Sequence, residues 1–185
     1  MKKIVFIVTM AFVSIAAFAQ PQFAHVNFSE LVQLMPEADQ ARAAIAASTK
    51  EAQETYQAMV DEYNTKFSQY QQKASTMTAA IRDSKEKELV DIQQRIQEFG
   101  QSIELELQQQ QQDLMAPIYQ KAQETLTQLA KENGFIYVFD AASIIYIDSA
   151  QSTDMTPMAR KALNIPADRT LESLQAELQA QAQGQ

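Results

Sequence analysis

Between Glu37 and Asn133 apolar residues recur every three or four positions. Such steps fall on one side of an α-helix, because a turn takes about 3.6 residues. The first half of the seam reads Ala52, Tyr56, Met59, Tyr63, Phe67, Tyr70, Ala74, Met77 and Ile81. The second runs through Leu89, Ile92, Ile96, Phe99, Ile103, Leu107, Gln110, Leu114, Ile118, Ala122, Leu126 and Leu129. Each half holds a doubled four-residue step, centred on Tyr63 and on Ile103. Both centres lie 20 residues from Asp83. Two supercoiled helices change phase at the same height, so the mirror match favours an antiparallel hairpin over one continuous rod. It predicts a fold-back near Asp83, with Asp83 and Glu86 as a capping pair for the second helix. Each arm would hold about 45 residues and span roughly 65 Å.

Shorter elements flank this stretch. Phe23 to Phe28 reads as a strand, and Ser29 is placed to cap a helix from Glu30 to Met35. Pro36 suits the first turn of the following helix, where its missing N–H costs nothing. Asn133-Gly134 is a helix stop. Phe135 to Phe139 and Ile144 to Ile147 are apolar runs joined by Asp140 to Ser143, which suggests a hairpin or a close antiparallel pair. Thr156 is placed to cap a helix from Pro157 to Leu163. After a break at Asn164 to Asp168, a last helix from Arg169 to about Ala180 would align Leu171, Leu174 and Leu178, with a fraying Gln/Ala tail. The expected class is therefore mainly α with a small β body. A long antiparallel two-helix coiled-coil arm projects from a small oligomerising sheet. The body comprises 20–36 and 134–165, the arm 37–133, and a helical or flexible tail 166–185.

A body of about 50 residues is marginal alone, so its sheet should form an oligomer interface through Phe23, Val26, Phe28, Ile136, Val138, Ile144 and Tyr146. Packing is the default account of the arm seam. Met and Tyr, however, specify a tight coiled coil poorly and suit adaptable contacts. Tyr56, Met59, Tyr63, Phe67, Tyr70 and Met77 are therefore candidates for partner contact. Gly100 weakens the second helix, and Pro117 should kink or break it; both are candidate hinges.

Composition narrows the function. Met1-Lys2-Lys3, the apolar run Ile4 to Ala16 and Ala17-Phe18-Ala19 form a cleavable export signal over 1–19. No Cys follows it to carry a lipid, and no later run is long enough to span a bilayer, so stable membrane insertion is not expected. Without Lys2 and Lys3, the 15 basic and 23 acidic residues leave a net charge of −10. That argues against nucleic-acid binding by charge neutralisation. With three glycines there is no phosphate-cradling loop, and with one histidine and no cysteine there is no metal set or nucleophile pair. His25 is read as an ordinary strand side chain. Asn27-Phe28-Ser29 matches a glycosylation pattern that arises often by chance. No enzyme activity and no cofactor are expected.

The order of these parts resembles the Skp (OmpH-like) family of periplasmic chaperones. The resemblance rests on the export signal, Val26-Asn27-Phe28, the two-helix arm with its charged turn, Tyr137-Val138-Phe139-Asp140-Ala141, and Asp154-Met155-Thr156-Pro157 before a short helix. It covers Phe23 to Leu163. It implies a periplasmic homotrimer whose arms enclose a cavity. There, without ATP, unfolded outer-membrane β-barrel proteins would be held and kept from aggregating. Typical members are basic, whereas Glu37 to Glu132 here has 10 basic and 16 acidic residues. The family's basic lipopolysaccharide cluster falls on Ile96 to Gln120, which has no Lys or Arg, so no such site is carried over. Client contact should then be apolar and Gln-mediated and should survive 0.5 M salt, where screening is nearly contact-range. The rival reading is a coiled-coil envelope adaptor or spacer that binds one defined partner.

Overall fold

The structure, a computed structural model, describes residues 22–183. The expected signal over 1–19 lies outside the described residues. The elements are β1 (Gln22–Val26), α1 (Phe28–Leu34), α2 (Pro36–Lys73), α3 (Ala79–Glu132), β2 (Phe135–Asp140), β3 (Ser152–Asp154), α4 (Thr156–Ala162) and α5 (Leu171–Gln183).

The sheet has the order β2-β1-β3, and both pairings are parallel. This corrects the expected hairpin. Parallel neighbours need a long crossover, and the two-helix arm supplies it between β1 and β2. Ile144 to Ile147 forms no strand; the third strand is Ser152–Asp154. The reason lies at the end of β2. Asp140 Oδ1 accepts the N–H groups of Ala142, at 3.2 Å, and of Phe28, at 3.4 Å. The chain therefore enters a tight turn at Ala141–Ser143 and leaves the β2 edge. It returns on the far side of β1, where Met155 N–H reaches the His25 carbonyl at 2.9 Å and His25 Nδ1 lies 2.9 Å from Ser152 Oγ.

Two caps differ from the sequence reading. Asn27, not Ser29, caps α1. Its Oδ1 accepts from Glu30 N–H and its Nδ2 donates to the Glu30 carboxylate, each at 3.1 Å. This reciprocal pair starts the helix at Phe28 and leaves Ser29 inside the first turn. It also occupies both ends of the Asn27 amide. For α4 the N-cap position is Met155, which makes no side-chain cap bond, and Asp154 Oδ1 accepts from Thr156 N–H at 2.8 Å. The Thr156 hydroxyl instead accepts from Asn27 N–H at 3.4 Å.

The arm is a hairpin, but it folds back at Ala74–Thr78 rather than near Asp83. Thr78 Oγ1 accepts from Ile81 N–H at 3.4 Å and so starts α3. Arg82 donates to the Ala74 carbonyl at 3.2 Å, which serves the open end of α2. Asp83 and Glu86 thus lie inside α3. With 38 and 54 residues, the helices are about 57 and about 81 Å long. The cross-arm pairs fix the register: Gln93 with Tyr63 at 2.8 Å, Gln110 with Ser48 at 2.9 Å, and Lys121 with Glu37. Ile103 faces Ala52 and Thr55, not Tyr63. The two stutters are therefore offset, and their symmetry about Asp83 did not reflect the pairing.

Stability is concentrated at the root. Ala24, Val26, Leu31, Leu34, Met35, Ala38, Ala122, Met155, Ala159 and Leu163 are at most 2% exposed and share one core with Ile118 and Leu126. Each large side chain buried there contributes about 1.5–3 kcal/mol. The C-terminal segment joins this core rather than trailing from it. Ile165 and Leu174 are 6% and 4% exposed. Arg169 holds Asp39 at 2.7 Å and both Glu177 carboxylate oxygens at 2.7 Å. Helix α3 runs through Pro117 without a break. Pro117 is exposed, and its neighbours Leu114, Ile118 and Ala122 pack against the root core. The helix is pinned on its inner side, while the carbonyl that Pro117 leaves unbonded belongs to exposed Asp113, where water can serve it. Gly134, with φ +73°, ends the helix as expected.

Candidate functional site

Two surfaces gather the residues singled out in the sequence. The first is the arm. Between Ala41 and Ile118 the only buried apolar residues are Ala52, Leu89 and Ile92. Two helices alone bury a narrow stripe, so the remaining seam residues stay partly open to solvent. Tyr56 and Phe67 are 44% and 37% exposed, while Met59, Tyr63, Tyr70 and Met77 are half-buried. The Tyr63 and Phe67 rings stack at 5.8 Å. Tyr63 Oη accepts from Gln93, and Tyr70 Oη donates to the Glu86 carboxylate, which pushes the Tyr70 hydroxyl pKa up. The phenol tips are thus tied, and the ring faces remain accessible in part. Val90 and Leu105 are also exposed and were missed. Their signal was present: each is an apolar residue out of phase with the seam.

One cluster of charges in the outer arm is paired. Lys66 and Lys85 donate to Glu88 and hold its carboxyl down to about 2; Glu88 in turn raises Lys66. Near the root, Lys121 lowers Glu37. Between Arg95 and Lys121, α3 has no basic residue. A Cβ built on Gly100 meets nothing within 4 Å, so that glycine is not required by a close approach.

The second surface is the sheet. Alternation along β1 puts Ala24 and Val26 on the face that packs on the helices, with Val138 in register with Ala24. The opposite face carries Phe23, Tyr137 and Phe139, with ring centroids 6.2 and 6.5 Å from Phe23. Tyr137 and Phe139 are 59% and 43% exposed. Strand β2 is an edge, and beside its end lie Ile145 and Tyr146, also exposed. Of the seven residues expected at an oligomer interface, Val26 is spent in the chain's own core, where Val138 and Phe28 also pack. Phe28 further contacts Tyr119, ring to ring, at 6.2 Å. Ile136 and Tyr146 are open, and Phe23 and Ile144 are half-buried. Tyr137 and Phe139 are exposed but were not singled out, because the apolar run from 135 to 139 did not reveal which face the helices cover; exposed Ile145 was not singled out either.

Among the described residues no group of three or more His, Asp or Glu could hold a metal ion, and no helix is long and apolar enough to cross a membrane. A long helical hairpin inserted as the crossover of a small parallel sheet defines a recognisable fold class. The chain belongs to the OmpH-like outer membrane protein family, whose model matches residues 22–163. Helix α5 lies beyond that match. The solved structure of an OmpH-like protein from Caulobacter crescentus has the same fold, with a TM-score of 0.69 at 15% identity over 81% of this chain and 90% of that one. Among proteins of curated function, none matches.

Proposed function

We propose that the chain is an ATP-independent periplasmic holdase, exported by residues 1–19, that binds unfolded outer-membrane β-barrel proteins and prevents their aggregation. The observation that carries this reading is the incompletely buried arm. Beyond Ala41 about 48 Å of paired helix has three buried apolar residues before Ile118 and exposes Tyr56, Phe67, Ile81, Val90 and Leu105. An unfolded barrel protein aggregates through apolar side chains and unpaired strand edges. A long surface of flexible Met and ring-bearing Tyr gives it many weak contacts without a tight site. Family membership supports the reading, and the Caulobacter protein of the same fold has been proposed as an outer membrane chaperone.

Assembly follows from the sheet. The exposed aromatic face of Phe23, Tyr137 and Phe139, with edge residues Ile136, Ile145 and Tyr146, is the interface of a homotrimer. Three arms then hold one client by avidity. The test is dilution of a urea-unfolded barrel protein into buffer with and without the mature chain, followed by light scattering. The holdase suppresses scattering at near-stoichiometric amounts. Unchanged scattering alongside a well-formed oligomer rejects it in favour of an adaptor with one defined partner.

A further inference from the structure

Halfway along the arm the two helices are mismatched in size. Helix α3 presents Phe99, Ile103 and Leu107, and α2 answers with the small residues Ser48, Ala52 and Thr55. The result is a groove of about 340 Å³. One end is closed by the 2.9 Å bond from Gln110 to Ser48. Toward the tip, by contrast, the buried side chains Leu89 and Ile92 lie between the helices, and the Tyr63 and Phe67 rings stack along α2.

Carboxylates stand on both rims, Glu51 on α2 and Glu106 on α3. Both residues are exposed, and neither has an ion-pair partner among the described residues. Elsewhere on the arm Glu37, Glu62 and Glu88 are paired with Lys or Arg, whereas Asp91, Glu98 and Glu104 share the unpaired state of Glu51 and Glu106, which differ in standing beside an apolar floor. Here α3 has no base to offer, and Lys50 on α2 lies toward Glu54 at 3.9 Å. An apolar floor between two uncompensated negative rims is complementary to one kind of ligand.

We propose that this mid-arm groove binds extended polypeptide segments in which an apolar side chain is flanked by Lys or Arg. The apolar group fills the space over Phe99, Ile103 and Leu107, and the flanking cations reach Glu51 and Glu106. In an extended chain neighbouring side chains point to opposite faces, so the flanking basic side chains start above the groove, and their long stems bend back to carry the charged ends to the exposed rims. The proposal rests on the holdase reading and gives it a substrate preference. Apolar contact carries binding through 0.5 M salt, and the carboxylates supply the sign selectivity that salt removes.

The probes are two fluorescein-labelled ten-residue peptides, one alternating Phe and Arg, the other alternating Phe and Glu. Their binding to the mature chain is read by fluorescence anisotropy. The Arg peptide binds more tightly, and 0.5 M salt narrows the difference. The double variant Glu51→Gln, Glu106→Gln loses about tenfold for the Arg peptide, because two screened surface charge contacts together amount to about one decade. Thr55→Tyr, at an exposed position, fills the groove and weakens both peptides. Equal binding of the two peptides, preference for the Glu peptide, or wild-type affinity in the Gln variant overturns the proposal. The same variants go into the light-scattering test. If wild type suppresses aggregation but the peptides show no preference, the groove assignment falls and the holdase stands. If the preference is present and wild type leaves aggregation unchanged, the holdase falls and the groove stands.

Discussion

Ile92 is the one large side chain in the outer arm that is essentially withdrawn from water, at 2% exposure. Replacing it with Ala removes three carbons from between two helices whose other contacts there are Leu89 and surface polar pairs such as Gln93 with Tyr63. Ile→Ala in a core costs about 2–5 kcal/mol. Two helices with no third layer can close on the gap, so the low end applies, about 2 kcal/mol. At 1.4 kcal/mol per decade this is roughly a 25-fold rise in local opening. No buried residue of the root core lies between Ala41 and Ile118, and only Leu114 and Met115 of that stretch pack against it, so opening should stay in the arm. Hydrogen exchange read by mass spectrometry should show faster exchange across about residues 56–100 and unchanged exchange in β1 and α4. Leu105→Ala, at a position 68% exposed, should change nothing. Equal loss of protection in the root would show that arm and root unfold as one unit. No loss anywhere would show that Ile92 does not hold the outer arm together.

The same substitution at two glycines should act with opposite signs. Gly134→Ala, at φ +73°, should lower stability by about 1 kcal/mol. Gly100→Ala, with nothing near its Cβ, should raise it by about 0.5–1 kcal/mol; both are read from urea melts. The Glu88 carboxyl is held below its unfolded value, so the stabilisation it brings is complete above that value and is lost as pH falls through about 2. Its carboxyl carbon, followed by NMR, should titrate near 2; a midpoint at about 4.3 would mean that the Lys66 and Lys85 pairs do not form. Tyr137→Asp should leave helicity intact and reduce the mass read by multi-angle light scattering to that of one chain. Val26→Asp, in the core, should instead unfold the root, and an unchanged mass for Tyr137→Asp would remove the aromatic face from the interface.

The sequence made some levels of this structure easy to read and hid others, for physical reasons. Helix periodicity is local, so the hairpin, its apolar seam and the stop at Asn133-Gly134 were visible. Pairing register is not local. The spacing of Tyr63 and Ile103 about Asp83 suggested a turn that the hydroxyl of Thr78 and the reach of Arg82 to Ala74 place several residues earlier. The sheet failed in a related way. Two apolar runs with a short connection look like a hairpin until Asp140 turns the chain away from the β2 edge. At the candidate interface, the apolar character of β2 was legible, but which face the helices occupy was not. Val26 was therefore named and Tyr137 was not. The mid-arm groove was invisible because it arises from opposing small and large residues whose register only the folded arm defines.

The most direct test of the central claim is the molar mass of the complex formed when an unfolded barrel protein is diluted into the mature chain, measured by chromatography with multi-angle light scattering. A soluble species with the mass of three chains and one client is expected. A client that pellets while the chain elutes alone would contradict the claim.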